Sequence, residues 1–589
     1  MHPIYARRPP SRWIRILALQ GGFGDSPTHV RLREANVDSL PSFAALSYVW
    51  GDPSQQQQIR VSGHEVSTDA SCINQGDLEE RADQVQLMRE IYSRAATVLV
   101  WLGLDGDEGQ AEWAIPLMES IHQACENHAR ARGVALLAMA HFTPATERLE
   151  GLAAVSIPDI AAIAERAGRA GPDPEGWAAI RWVLSRPWFT RVWCVQEIVL
   201  ARASRVCVGS HSFDWVKLGV TAAWLSEQSL ASDYDVPPEL EGLNWDAAYS
   251  MSESSLLEVL VVFRELVATD PRDKVYGLLG LVSNDALACF PGVDYRKTVT
   301  EVYVDVVRAS VDTSGTLAPL SYAKHGHEYV RTEIPSWVPR WDASEDICSI
   351  LHGFSVTAWE NGDKHGLPGL ADFEPTADGR VALSGVRFDS IAWVTDMLDI
   401  EHFKEDISAS EAAKHPFLDI WHRASSNNCY VLSPSADHPY NGILEMGLTL
   451  TAGFTDVYQL VGNLEREDLT RFYADFLTYI RQLFDKAGKR PETFDPLDVG
   501  LSDGDAARFR VAASRSCDQR RVFETTAGFY GLAPACAREG DVVVILYGGR
   551  QVAEGWVLLG DGFVGPLMPE MAVESVRERF SHEEVFVLV

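Results

Sequence analysis

The sequence predicts an α/β N-terminal domain built on parallel strands, followed by a helical region and a β-rich C-terminal region. Three observations predict it. Residues 40–104 read as α/β, with apolar runs at Phe43–Trp50 and Val98–Leu102 on either side of a stretch of helical periodicity. Residues 105–180 are Ala-rich and read as helix. Beyond residue 521 the apolar runs Asp541–Leu546, Gly555–Leu559 and Val585–Val589 are short and broken by Gly-Gly and Gly-Asp turns.

Phe43–Trp50 (FAALSYVW) ends in Gly-Asp-Pro, as a buried strand entering a loop does. Ile59–Val66 alternates around a turn-like Ser-Gly and reads as a small hairpin. Asp77 is placed to cap a helix with Glu80 at its third position. Val85, Met88, Tyr92 and Ala95 then fall on one helical face. Val98–Leu102, closed by Gly103, reads as a strand buried on both faces. In Arg186–Ala201, Thr190 is placed to cap a helix with Val192, Val195 and Val199 inside, and Trp193 sits one turn from Glu197. Arg205–Gly209 reads as a strand, and Ser226–Asn244, with Pro237-Pro238, as a linker. Helix is expected from there to about Asp312. Within it Asp270-Pro271-Arg272-Asp273 reads as a helix start, with Asp270 as cap and Asp273 at the positive end of the dipole.

Composition mainly excludes. The 589 residues carry 83 acidic and 51 basic side chains, a formal net charge of −32. Such a surface repels phosphate backbones and anionic membranes, so neither nucleic acid nor membrane is an expected partner. The nine cysteines are scattered and contain no CxxC, which disfavours a disulfide framework or a zinc ribbon. Arg15 interrupts the N-terminal apolar run, so a signal peptide is not expected. A soluble, cytoplasmic protein in a reducing compartment is the expectation.

Three blocks carry a resemblance. The first is Ala45-Leu46-Ser47-Tyr48-Val49-Trp50-Gly51-Asp52. The second is Asp69-Ala70-Ser71-Cys72-Ile73-Asn74-Gln75-Gly76-Asp77, continued by Glu80, Gln84-Val85, Met88, Ile91-Tyr92 and Trp101-Leu102-Gly103. The third is Pro187-Trp188-Phe189-Thr190-Arg191-Val192-Trp193-Cys194-Val195-Gln196-Glu197. In this order they resemble the heterokaryon incompatibility (HET) domain of filamentous fungi. Asp270 through Gly280, Pro335-Ser336-Trp337-Val338-Pro339 and Gly540 through Gly549 also resemble the longer proteins of that family. The resemblance implies a role in nonself recognition and programmed cell death after fusion of unlike cells. It also implies self-association and an unidentified protein partner. With it, the chain divides into an N-terminal extension (1–39), a HET domain (40–215), a helical accessory region (216–341), a mixed variable region (342–520) and a small β-rich C-terminal unit (521–589). The expected loops of the mixed region are 359–380 and 494–506.

One departure stands out. The family places a helix and the start of a strand before the second block, but here Val66-Ser67-Thr68 runs straight into Asp69. A parallel pair needs a crossover of about a dozen or more residues, so the strand carrying Asp69 is expected to be very short or absent. A second shortening follows Gly549-Arg550. Both fit either a gene-model artefact or an inactive, truncated paralogue.

The first and third blocks also resemble Toll/interleukin-receptor (TIR) domains, which are flavodoxin-like parallel sheets. Several TIR domains cleave NAD with a glutamate at the position that Glu197 would occupy. Breaking the nicotinamide–ribose bond passes through an oxocarbenium-like state, which a nearby carboxylate stabilises. The resemblance therefore makes Glu197 the candidate catalytic residue, with NAD as substrate and no cofactor. Ser47, Tyr48, Trp50, Asp52, Asn74, Gln75 and Trp193 are the candidate substrate-binding residues, around the loops at the C-terminal ends of the strands. Each has a plainer alternative. Glu197 would pair with Arg191 or Arg202, Trp193 would be core, Ser47 and Asp52 would end a strand, and Asn74 and Gln75 would satisfy loop backbone. The other class of function is a non-enzymatic module that signals by oligomerisation.

Weaker signals carry less. His122, Cys125 and His128 do not share one helical face, which disfavours a metal site. Gly21-Gly22-Phe23-Gly24 lacks the spacing of a dinucleotide fingerprint. Cys194 has no neighbouring histidine and is expected to be a small buried hydrophobe.

Overall fold

A computed structural model describes residues 5, 7–19, 29–50, 58–61, 64–67, 72–106, 109–133, 136, 152–169, 171–227, 254–323, 325, 334–343, 373–376, 379–426, 443–455, 466–489, 504–546, 555–556, 558, 563–564 and 583–588. Two compact units emerge, Met1–Thr313 and Ser314–Val589.

The first unit opens with β1 (Trp13–Leu19) antiparallel to β2 (His29–Asn36). Strand β3 (Ala44–Tyr48) starts a different sheet. The expected hairpin is present as β4 (Gln58–Val61) and β5 (His64–Ser67), but it leaves that sheet. Its β4 pairs with β2 in parallel, giving a four-stranded N-terminal sheet ordered β1-β2-β4-β5. Residues 68–71, including Asp69, lie outside the described residues.

The crossover from β3 to the next strand of its sheet is made by α1 (Leu78–Gln86) and α2 (Met88–Arg94), which lead into β6 (Thr97–Trp101). Asp77 caps α1 as expected, with Oδ1 accepting from the amides of Glu79 and Glu80. Glu80 does not complete a capping box. Its buried carboxylate turns to Arg15 on β1 and accepts from both guanidinium nitrogens. Both side chains are 2% exposed, so this pair ties the N-terminal sheet to α1.

The chain continues through α3 (Gln110–Ala131), α4 (Ile157–Ala167) and α5 (Pro174–Leu184). A 3-10 turn at Pro187–Thr190 precedes α6 (Val192–Val199). Thr190 is not the cap of α6. Its hydroxyl turns back to the carbonyl of Pro187, and Arg191 holds the N-cap position without a side-chain bond. Next come β7 (Ser204–Val208), β8 (His211–Asp214) and α7 (Trp215–Glu227), which begins inside the expected domain and runs into the expected linker. Residues 228–253 are outside the described set. Helices α8 (Leu256–Val262), α9 (Asp273–Tyr276), α10 (Asn284–Cys289) and α11 (Val299–Ser314) complete the unit.

The second sheet of this unit is ordered β3-β6-β7-β8, with β3, β6 and β7 parallel and β8 antiparallel at one edge. Ala45, Ser47, Val98, Val100, Val206 and Val208 are buried on one face. The expectations that β3 is a buried strand and that β6 is buried on both faces need correction. Leu46 is 54% exposed, and Thr97, Leu99 and Trp101 are half-buried. The apolar runs are continuous because both faces carry apolar residues, yet only one face is fully covered.

The outer edge of β3 is closed by side chains. The amide of Val98 bonds across to Ala203, on the β7 side. With Ala45 opposite Val98, the odd-numbered residues of β3 exchange backbone bonds with β6. The carbonyls of Leu46 and Tyr48 therefore point away from β6. The Tyr92 hydroxyl donates to Leu46 at 3.3 Å, and the Arg191 guanidinium donates to Tyr48. Among the described residues no strand pairs with this edge.

The second unit is organised on the long strand β9 (Val381–Val394). The unit's helices are α12 (Ala409–Ala412), α13 (Pro416–Ser426), α14 (Ile443–Leu450), α15 (Arg466–Lys486) and α16 (Ala506–Cys517). Then follow β10 (Arg520–Thr525), β11 (Tyr530–Pro534), β12 (Val542–Leu546), β13 (Gly555–Trp556), β14 (Phe563–Val564) and β15 (Glu583–Leu588). All seven strands form one sheet, in which β9 pairs with β15, β12 and β10 along its length. The helical core beside it is aromatic, with Phe417, Trp421, Phe476 and Phe509 fully or almost fully buried. No helix among the described residues is long and apolar enough to cross a membrane.

Candidate functional site

The third block delivers its side chains from α6 and the turn before it. Helix α6 is short and apolar, and Val192, Cys194, Val195 and Ile198 are wholly buried. That packing draws Glu197 inward, where it is 7% exposed. Ser47, on the buried face of β3, meets it: Ser47 Oγ lies 2.5 Å from Glu197 Oε2. The Trp188 indole donates to the same Oγ at 2.7 Å, which leaves the serine proton for the carboxyl. Trp188 is itself locked edge-on against Phe189 and Trp215.

The environment sets the charge of Glu197. Burial pushes its carboxyl up to about 7, against the opposing pull of Arg191 and of bonds from Ser47 and Tyr92. The Tyr92 hydroxyl stands between Glu197 and the Leu46 carbonyl, with one proton for two acceptors. Burial also drives the Cys194 thiol far above its usual range, and its Sγ contacts the Arg191 carbonyl at 2.8 Å. Cys194 is therefore an inert buried side chain. Arranged this way, a carboxyl poised near neutrality can give or take a proton, or stabilise a nearby cation once ionised.

The other candidates are placed differently. Tyr48 joins the cluster through its backbone carbonyl, bonded to Arg191. Trp50 is 51% exposed. Asp52 lies outside the described residues. Asn74 satisfies loop backbone: its side-chain oxygen accepts from the Gly76 amide at 3.2 Å, and its own amide donates to Glu80. Gln75 is half-buried in the same loop. Trp193 turns away from Glu197, and its indole donates to Asp273 at 3.2 Å.

Asp273 is the centre of a second buried cluster. Besides Trp193 it accepts from Tyr295 at 2.6 Å and from Arg81 at 3.0 Å. Arg81 also stacks its guanidinium over the Tyr295 ring. The expected capping role of Asp270 is replaced by bonds to the Arg272 amide and guanidinium, and Arg272 takes the N-cap of the one-turn α9. Two glycines let this segment lie against α6. A Cβ on Gly277 would stand 3.1 Å from Val192, and one on Gly280 only 2.5 Å from Gln196 Oε1. Sequence reasoning missed Tyr92, Arg81 and Tyr295 as members of these clusters. Tyr92 is itself a residue of the second block and Arg81 lies beside Glu80, but nothing local signals their long-range partners.

Among the described residues no group of three or more His, Cys, Asp or Glu is arranged to hold a metal ion.

A short parallel sheet with a serine–glutamate pair at its buried face defines an α/β module with a polar centre. Residues 68–197 match the family model described as Heterokaryon incompatibility protein (HET). That segment is similar to the family, and Glu197 is the last residue of the matched span. The chain is also similar to "Heterokaryon incompatibility protein 6, OR allele" of Neurospora crassa, at 26% identity over 56% of this chain and 58% of that protein. The similarity thus spans less than two thirds of that relative. No solved structure matches the chain.

Proposed function

We propose that this protein acts in fungal nonself recognition and the cell death that follows it, and that its HET domain does so in the cytoplasm by cleaving NAD. The family match and the printed name of the Neurospora relative support the first part. The observation that carries the second is the buried bond between Ser47 Oγ and Glu197 Oε2. Three parallel strands lead to it, as in a TIR-like sheet. In the reaction the ribose–nicotinamide bond breaks and its electron pair leaves with nicotinamide. Water captures the sugar cation and loses a proton, giving ADP-ribose. Glu197 in its ionised form stabilises that cation, and Ser47 orients the carboxylate.

The test uses the full chain, concentrated enough to self-associate, with NAD added and nicotinamide release followed. The wild type is expected to release nicotinamide and Glu197→Gln to release none. Equal behaviour of the two ends the enzymatic reading.

The second reading is an interaction module that signals by assembly alone. The burial of Glu197 favours it, because bonds from Ser47 and Tyr92 already occupy the carboxyl and the charge of Arg191 lies near it. Assembly at high protein concentration without nicotinamide release is its expected result.

A further inference from the structure

Arg186 stands at the carboxyl ends of the parallel strands β3 and β6, in the same block as Trp188 and Glu197 but bonded to neither. We propose that Arg186 seats the diphosphate of NAD at this edge. This seat rests on the NAD reading of Glu197, and adds to it a residue that holds the substrate.

The guanidinium is fixed on two sides. Its Nε donates to the Leu102 carbonyl at 3.1 Å, and the group lies over the Trp182 ring, 4.5 Å from the centroid. Among the described residues Nη1 and Nη2 make no hydrogen bond, and no ion pair includes Arg186. Asp105, on the loop that follows, is engaged elsewhere. Its Oδ1 accepts from the amides of Gly106 and Ala111, and its Oδ2 faces His211. A half-buried guanidinium held flat, with its outer N–H groups unused, is a preformed fork for phosphate oxygens.

The position of the fork is an independent observation. Ligands of parallel α/β sheets bind outside the carboxyl ends of the strands. Tyr48 pairs with Trp101, so β3 and β6 leave the sheet side by side, one toward Trp50 and the other toward Leu102. Trp50 is 51% exposed and gives this rim an aromatic surface. Gly103, at a φ of +105°, keeps the fork clear, since a Cβ there would stand 3.3 Å from Arg186 Nη2. Ser47 pairs with Val100, two residues before the Leu102 carbonyl that anchors Arg186. At ~3.3 Å per residue the anchor is roughly 7 Å along the strands from Ser47. A ribose and its 5′-phosphate bridge such a span. A diphosphate on Arg186 therefore leaves the nicotinamide–ribose bond at the level of the Ser47–Glu197 pair.

ADP-ribose carries the same diphosphate without the nicotinamide, so its binding is measured apart from any cleavage. Calorimetric titration of the full chain is expected to show saturable binding, tighter for ADP-ribose than for adenosine. Arg186→Gln is expected to weaken ADP-ribose at least tenfold. Arg186→Lys keeps the charge but not the fork, and is expected to bind more tightly than Arg186→Gln. In nicotinamide release from NAD, Arg186→Gln is expected to raise KM by more than it lowers kcat. Absence of saturable ADP-ribose binding, equal affinity for adenosine, or an Arg186→Gln protein that binds like wild type overturns the seat. A wild type that binds ADP-ribose through Arg186 yet releases no nicotinamide upholds the seat and ends the cleavage reading alone.

Discussion

Glu197 and Ser47 make a prediction that holds whether or not the protein is an enzyme. The Glu197 carboxyl is raised from 4.5 to about 7 in the folded chain. Between those values the folded state keeps a proton that the unfolded state has lost, so stability falls as pH rises across that window. Above 7 the loss is complete. Relative to Glu197→Gln, the wild type is expected to lose about 3 kcal/mol across it, read by urea unfolding at a series of pH values. A flat difference between the two proteins removes the claim that the carboxyl is buried. If NAD cleavage occurs, its rate should rise with pH through an apparent pKa near 7, because the ionised form acts. Ser47→Ala leaves the Trp188 N–H and the Glu197 carboxyl without their shared partner and is expected to cost roughly 1–3 kcal/mol. Both residues were legible in sequence because they sit inside recognisable blocks. Their burial was not, since a polar residue within an apolar run does not announce which partner it meets.

At the scale of elements, α6 is held from one side by β3 and from the other by Asp270 through Gly280. Gly280→Ala tests that contact. Its Cβ would press on Gln196 Oε1, a residue adjacent to Glu197, and overpacking of this kind costs about 1–3 kcal/mol. An unchanged unfolding midpoint would mean that the segment yields. The helix α6 itself was readable from its Val192 and Val195 spacing, whereas its cap was not. Thr190 looks like a cap by residue type, but the 3-10 turn at Pro187 claims its hydroxyl first. Asp270 was misread for a similar reason: an Arg two residues on offers a charged partner that outcompetes helix amides. The β1–β2 pair is not legible in a segment read as an extension, and its attachment rests on long-range contacts: the Arg15–Glu80 pair, the bond from Gln84 to the Trp13 carbonyl, and Ile14 and Val37 packed on Leu87.

Over the whole molecule, each unit has its own core, and calorimetry is expected to resolve two unfolding transitions. Arg15→Met strands a buried Glu80 and should lower only one of them, by about 3–5 kcal/mol. Phe476→Ala opens a cavity in the aromatic core of the second unit and should lower only the other, by about 3–5 kcal/mol. A single transition moved by both substitutions would refute the division. The order of strands and helices in the first unit was largely visible from periodicity. In the second unit the runs that become β12, β13 and β15 were visible too, but not their sheet, because β9 pairs with strands more than 100 residues later and local pattern carries no trace of such pairing.

Tyr92 and Arg191 each serve twice, once on the free carbonyls of β3 and once beside Glu197. A substitution at either position is therefore pleiotropic. It would shift the proton affinity of the carboxyl and, in the same stroke, offer an open strand edge to any passing chain. Any phenotype of such a mutant has two origins that it cannot separate, while a change at Ser47 touches only the first. In a lineage that alters this domain, the edge and the carboxyl are bound to change together.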